Sequence, residues 1–195
     1  MVRVVNFRDE IRKYRVLQIL EFDSNRKRMS IIVKDLQRDK IVIYCKGADS
    51  SVFKNCSRGN ISSCNADIKR FSEQGWRTLA LSFKYIEEDE YVEIEKLLNE
   101  AYNDLLNRDE KIEKANETIE SDLELIGATA VEDKLQEDVA NTLEALRRAG
   151  IKIWVLTGDK KETGMQKKNI IFQFFYNTNS FYALNFFLFD CNLKP

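Results

Sequence analysis

Between Val16 and Cys45 three short apolar runs are separated by two turn clusters, and this rhythm limits the fold more than any other stretch. Val16-Leu17-Gln18-Ile19-Leu20-Glu21-Phe22 alternates loosely, as a half-buried strand does. Asp23-Ser24-Asn25 is rich in residues whose side chains close turns. Arg28-Met29-Ser30-Ile31-Ile32-Val33 reads as a second strand, Asp35 to Lys40 as a second turn, and Ile41-Val42-Ile43-Tyr44-Cys45 as a third strand. Two hairpin-length connections in succession require an antiparallel meander, because a parallel pair needs a crossover of about a dozen residues or more.

The third strand runs into Lys46-Gly47-Ala48-Asp49, where Asp49 or Ser50 can cap a short helix through about Cys56. Residues 64–74 read as a helix with Ile68 and Phe71 on one face, and Gly75 suits its end. Trp76 to Tyr85 is a fourth strand. Residues 87–118 form a long polar segment with Tyr91, Ile94, Leu97, Leu98, Ala101, Leu105 and Ile112 at helical spacing, exposed on most of its circumference. Near residue 123 the pattern changes. Leu123 to Val131 reads as a strand and Gln136 to Ala149 as a helix with Val139, Leu143 and Leu146 on one face. Gly150 ends that helix, and Ile151 to Leu156 is the next strand. Such a β-α-β unit in one sheet is parallel and right-handed. The expected class is α/β: an α+β part with an antiparallel sheet over residues 1–122, then a partial β-α-β unit over 123–163. Residues 164–195 are rich in aromatics and asparagine, nearly uncharged and without a clear period. We expect them to have no place in the fold, with membrane contact or aromatic packing as the alternatives.

Several function classes are excluded. The 195 residues contain no histidine, which removes a Ser-His-Asp triad, a Cys-His pair and every zinc site that needs imidazole. The net charge of -1 gives no global case for nucleic acid as a partner, although residues 1–40 are basic and 87–124 acidic; solvated faces are the plain reading of both, and the preferred one for the acidic stretch. Cys45, Cys56, Cys64 and Cys191 show no Cys-x-x-Cys spacing and read as free thiols in a reducing compartment. No run of about 20 apolar residues marks a membrane span, and the N-terminal residues lack the apolar run of a secretory signal.

Two groups of residues carry possible chemistry. The apolar run ending at Leu156 leads into Thr157-Gly158-Asp159-Lys160. In open α/β sheets ligands bind just beyond the carboxyl ends of strands. There Thr157 offers a hydroxyl, Gly158 a close backbone approach, Asp159 a carboxylate and Lys160 a positive charge. In the first part, Phe22 can stack on a flat ring, Lys46 can meet a phosphate or a base edge, and Arg77 can grip a phosphate with both nitrogens. The plainer alternatives are core packing for Phe22 and solvated surface for Lys46 and Arg77. For Arg26-Lys27-Arg28, solvated surface comes first and attraction of phosphate second.

In order, Phe22-Asp23-Ser24-Asn25-Arg26-Lys27-Arg28-Met29-Ser30, Tyr44-Cys45-Lys46-Gly47-Ala48-Asp49 and Gly75-Trp76-Arg77-Thr78-Leu79-Ala80 resemble the nucleotide-binding domain of P-type ATPases. Ala130-Val131-Glu132-Asp133-Lys134-Leu135-Gln136 and Ile151 through Thr163 resemble the phosphorylation domain that follows it, a haloacid-dehalogenase-like Rossmannoid fold. The lysine-glycine-alanine-aspartate form, the Arg-Lys-Arg-Met-Ser run and Asp-Lys-Leu-Gln point to the phospholipid-translocating (type IV) branch, the flippases. The resemblance spans about residues 12–163. It implies a partial nucleotide-binding domain over 1–122, a partial phosphorylation domain over 123–163, and a tail, 164–195, outside the family pattern. It further implies that Phe22 stacks on adenine, Lys46 lines the floor of the adenine pocket and Arg77 reaches the phosphates. Asp133 would serve at the interdomain hinge, and Thr157, Gly158 and Asp159 would face the transferred phosphoryl group.

The activity so implied is transfer of the γ-phosphoryl of Mg2+-ATP to an aspartate, hydrolysis of that aspartyl-phosphate, and movement of a phospholipid between leaflets. The phosphorylated aspartate, the Mg2+ ligands, the actuator domain and the membrane helices of the family do not occur here. The chain therefore reads as a fragment that binds ATP without turnover, with no catalytic residue of its own. Its parent would sit in the plasma, Golgi or endosomal membrane with this part facing the cytosol, and the isolated fragment would be cytosolic. The phospholipid would be met through the absent membrane domain, and an accessory subunit is a further partner the family allows. The alternatives are a cation-transporting P-type ATPase fragment and a non-enzymatic interaction protein.

Overall fold

A computed structural model describes residues 2–7, 10–132, 137–157 and 185–188. The meander is present and larger than expected. Strands β1 (Val2–Phe7), β2 (Glu10–Asp23), β3 (Arg28–Asp35) and β4 (Lys40–Gly47) pair antiparallel in chain order. β1 had no counterpart in the sequence reading, and β2 begins six residues before Val16. Charged residues such as Arg12, Lys13 and Arg15 interrupt the apolar rhythm there without preventing ladder pairing.

Both tight turns use one device. At the end of β2, Asp23 Oδ1 accepts from the backbone N–H of Asn25 (2.7 Å) and Arg26 (3.0 Å), and Lys27 takes a left-handed φ of 53°. At the end of β3, Asp35 Oδ1 accepts from Gln37 (2.9 Å) and Arg38 (3.2 Å), and Asp39 has φ 51°. An aspartate that bonds its own backbone two and three residues on stabilises a turn of this kind.

After β4 come the short helix α1 (Asp49–Lys54), strand β5 (Cys56–Arg58) and helix α2 (Ile61–Glu73). The expected capping of α1 by Asp49 or Ser50 is not what forms. Ala48 is the N-cap without a side-chain bond, and Asp49 lies inside the helix, its Oδ1 accepting from the Ser50 N–H. α2 ends at Gly75 as the sequence suggested. With φ 82°, Gly75 donates its N–H to the Ser72 carbonyl, and Trp76 donates to the Phe71 carbonyl. The paired bonds make a Schellman end, and the Phe71 and Trp76 rings stack over it at 5.3 Å.

Strand β6 (Arg77–Ile86) pairs antiparallel with β4. The long polar segment forms two helices, α3 (Glu88–Asn103) and α4 (Arg108–Ile119), packed together as a hairpin. Asp104 breaks the helix: its Oδ1 accepts from the N–H of Leu106 and Asn107, both at 2.9 Å, competing with helical continuation. Strand β7 (Leu123–Val131) joins the same sheet, which has the order β1-β2-β3-β4-β6-β7-β5, with β5 parallel to β7.

Helix α5 (Val139–Arg148) and strand β8 (Trp154–Thr157) follow. β7 and β8 therefore lie in different sheets, because β8 pairs in parallel with β9 (Asn185–Leu188). β8 starts three residues later than expected. Gly150 (φ 78°) and Ile151 first satisfy the carbonyls of Arg147 and Leu146 in a second Schellman end, which takes Ile151 out of the strand. Within the tail the described residues are those of β9 alone. Its Asn-Phe-Phe-Leu is rich in strand-favouring side chains and pairs with the edge that β8 offers.

The chain divides into two compact units. The first holds residues up to Asn65 and from Leu79 to Thr129; the second holds Ala66–Thr78 and the described residues after Thr129. In the first, Ile32, Ile43, Ala80 and Leu123 on the sheet are buried, together with Val52 of α1, Leu98 of α3 and Ile119 of α4. Among the described residues no helix is long and apolar enough to cross a membrane.

Candidate functional site

Antiparallel pairing places directly opposed residues on one face of a sheet. Ser30, Cys45 and Ser82 are mutually opposed on the buried face. Their neighbours Met29, Lys46 and Leu81 form the next row, on the other face, where Lys46 is exposed and Met29 and Leu81 are half-buried. Between the pairs Leu20–Ser30 and Asp23–Arg28 the register slips, so that Glu21 and Phe22 together oppose Met29 alone. Such a bulge bends the strand and re-aims a side chain. Phe22 is 63% exposed, which removes the core-packing alternative.

The row Met29–Lys46–Leu81 borders a pocket of about 380 Å3, lined by Met29, Ile31, Tyr44, Lys46, Leu81 and Ile126, with Ser30, Cys45 and Ser82 beneath; Phe22 lies next to this row, opposite Met29 in the bulge. The walls are mainly apolar with one ammonium, the composition that suits a flat heteroaromatic ligand. Burial pushes the Tyr44 phenol and the Cys45 thiol above their ordinary values. Both stay neutral at physiological pH, and neither offsets the charge of Lys46.

Gly47 has a different task from the one its place beside Lys46 suggests. It pairs with Arg28, and a Cβ on it would come within 2.5 Å of both Arg28 Cβ and the Lys27 carbonyl oxygen. The glycine lets β4 approach the β2–β3 turn, and Ala48 then donates its N–H to the Lys27 carbonyl (2.9 Å).

The Arg26-Lys27-Arg28 run corrects the sequence reading. Arg26 and Arg28 are neither solvated surface nor phosphate bait, being 5% and 6% exposed. Both donate to Glu120, the fully buried C-cap residue of α4. Arg26 Nη1 reaches both carboxylate oxygens at 2.7 and 2.6 Å, Arg28 Nε one at 2.6 Å, and Ser30 Oγ donates to the other at 2.6 Å. Arg28 Nη1 also donates to Ser51 Oγ (3.0 Å), and Ser51 Oγ donates to the Arg26 carbonyl. A carboxylate so far away in sequence supplies no local signal. Met29, Ile31, Tyr44 and Leu81 did have one, because counting in twos from Lys46 along and across the meander reaches each of them.

The remaining sequence candidates are distributed as follows. Arg77 opens β6, is exposed and belongs to the second unit. Thr157 is the last residue of β8. Asp133, Gly158 and Asp159 lie outside the described residues. Cys45, Cys56 and Cys64 are free thiols, as expected.

The described residues form a mixed α/β domain, a seven-stranded and mostly antiparallel sheet with helices and an apolar pocket bordered by Lys46. A family profile for the P-type ATPase cytoplasmic domain N matches residues 2–138, and the chain belongs to the P-type ATPases. Within them it is similar to phospholipid-transporting members. It is 49% identical over 162 residues to phospholipid-transporting ATPase IG of Homo sapiens and 48% over 162 residues to phospholipid-transporting ATPase IH of the same species, covering 83% of this chain and 14% of each relative. Phospholipid-transporting ATPase 2 of Arabidopsis thaliana is 42% identical over 163 residues, 83% of this chain and 15% of that protein. The chain thus spans about a seventh of the curated relatives it matches.

Proposed function

We propose that this chain is the ATP-binding part of a phospholipid-transporting ATPase, and that adenine occupies the pocket beside Lys46. The observation that carries the reading is the cross-strand row Met29–Lys46–Leu81, which puts an ammonium on an apolar pocket next to the bulge that exposes Phe22. Phe22 stacks on the purine, Met29, Leu81 and Ile126 contact its flanks, and Lys46 meets the base edge or a phosphate. Arg77 is assigned to the phosphates, and Thr157, Gly158 and Asp159 to the transferred phosphoryl group in the parent, with Asp133 at the hinge. Among the described residues no cluster of three or more His, Cys, Asp or Glu side chains could hold a metal ion. A Mg2+ ion would arrive with ATP and, as the family resemblance implies, meet its protein ligands in parts of the parent outside this chain.

In that parent the bound ATP would phosphorylate an aspartate, and the cycle would move a phospholipid between leaflets, with an accessory subunit as a further partner. Alone, the chain binds ATP without turnover. The test is calorimetric titration of the folded chain with ATP. Dissociation constants between roughly micromolar and millimolar are expected, weakened at least about tenfold by Phe22→Ala or Lys46→Ala. A folded chain that shows no saturable ATP binding, or variants that bind as well as the parent chain, would refute the assignment.

A further inference from the structure

We infer that Glu120 is a positioning residue for the nucleotide: through Arg26 it holds the β2 bulge that presents Phe22. This rests on the adenine assignment above. The geometry is a relay of three groups. Arg26 Nη1 is held by both oxygens of the Glu120 carboxylate, while its second terminal nitrogen, Nη2, donates to the backbone carbonyl of Glu21 at 2.6 Å. Glu21 and Phe22 are the two residues that share the single partner Met29 in the bulge. A bulge leaves ladder groups unpaired, and an unpaired carbonyl beside an exposed aromatic has several orientations of similar energy. The planar fork of Arg26 selects one of them, because a bidentate guanidinium is itself fixed in direction.

The relay has a second anchor. Arg28 and Ser30, on the strand facing the bulge, donate to the same carboxylate. Glu120 therefore ties the presenting strand and its partner to one point. That point is the end of α4, followed by Asp122 at φ 55° and then β7, the strand that carries Ile126 of the pocket. One buried carboxylate thus bonds the β2–β3 turn and β3 and directly precedes the turn into β7. Glu120 does not line the pocket and reaches the Phe22 bulge through Arg26.

The test is a double-mutant cycle on the full chain, read by ATP titration with inorganic tripolyphosphate as a second probe. Glu120→Gln keeps the side-chain shape and removes the charge. Arg26→Lys keeps the charge opposite Glu120 but replaces the planar two-nitrogen fork, which holds the carboxylate and the Glu21 carbonyl in fixed directions, by a single rotatable ammonium. Each variant should weaken ATP by about five- to tenfold, the scale of one misdirected aromatic stack, and leave tripolyphosphate affinity unchanged. In the Phe22→Ala background the same substitutions should add less than about twofold, since there is no ring left to position. Asp39→Asn, at the exposed end of the β3–β4 turn and outside both the pocket and the Glu120 cluster, should bind ATP as the parent chain does.

A loss that persists in the Phe22→Ala background, or one that falls equally on tripolyphosphate, would show a general structural role and overturn the inference. So would folded variants with unchanged ATP affinity. If Glu120→Gln does not fold, Arg26→Lys carries the same comparison; if neither folds, the cluster is a global scaffold and the local claim is wrong. Absence of ATP binding by the parent chain refutes the adenine assignment instead, which separates the two failures.

Discussion

The two turns at opposite ends of β3 are built alike and used differently. Each starts with an aspartate, Asp23 or Asp35, whose Oδ1 accepts two backbone N–H groups, and each closes with a left-handed residue four positions on. The β3–β4 turn stops there. Its closing residue, Asp39, makes an exposed ion pair with Lys34, which also pairs with Glu88. The β2–β3 turn instead buries Arg26 and Arg28 against Glu120 and carries a bulge with Phe22 exposed. Local turn chemistry makes a hairpin in either place. What sets one hairpin apart is a buried carboxylate more than ninety residues away.

That contrast can be broken most forcefully at Glu120. Glu120→Ala would leave two guanidinium groups buried without their counter-charge, a situation that costs about 3–5 kcal/mol. Denaturant unfolding should show that loss, whereas Asp39→Asn at the other turn should change stability only slightly, as exposed pairs contribute little. Next comes Gly47→Ala. Its new Cβ meets backbone and Cβ atoms of the β2–β3 turn at 2.5 Å, contacts that cannot rotate away, so about 1–3 kcal/mol of overpacking is expected. The same denaturation series measures it.

The two anchoring aspartates sharpen the comparison further. Asp35→Ala removes the acceptor of two N–H bonds at a buried site and should cost about 1 kcal/mol without changing ATP affinity. Asp23→Ala should weaken ATP severalfold, because the turn it closes is the one that presents Phe22. Equal ATP affinity in both variants would erase the functional difference between the turns. The smallest effect belongs to acid titration. Asp104 uses the same device between α3 and α4, and its ion pair with Lys111, together with two backbone N–H bonds, lowers its carboxyl to about 2. A depressed folded-state value stabilises above the unfolded value near 3.8 and loses that contribution as pH falls towards about 2. Urea midpoints between pH 4.5 and 2 should fall less steeply in Asp104→Asn than in the parent chain.

The meander was legible because its signals are local: apolar alternation for the strands, Asp-rich turns, and glycines at 75 and 150 that only a helix end requires. Phe22 and Lys46 were legible as candidates by residue type and family likeness. The bulge was not, since nothing in Glu21-Phe22 marks two residues set against one. Arg26 and Arg28 were misread because charge predicts exposure unless a partner is known, and theirs arrives from α4. β5 and β9 were missed because three or four residues carry no period. β7 was seen as a strand, but its place beside β6 in the seven-stranded sheet depends on long-range pairing that alternation alone does not encode.

The central claim is that the open face around Met29, Lys46 and Leu81 receives the base of ATP. Methyl NMR of the full chain during an ATP titration tests it most directly. Saturable shifts are expected at the Met29, Ile31, Leu81 and Ile126 methyl groups, with none at the fully exposed Leu105 and Leu106 of the α3–α4 turn. Saturable shifts confined to other methyl groups, with Met29 and Leu81 unmoved, would contradict it.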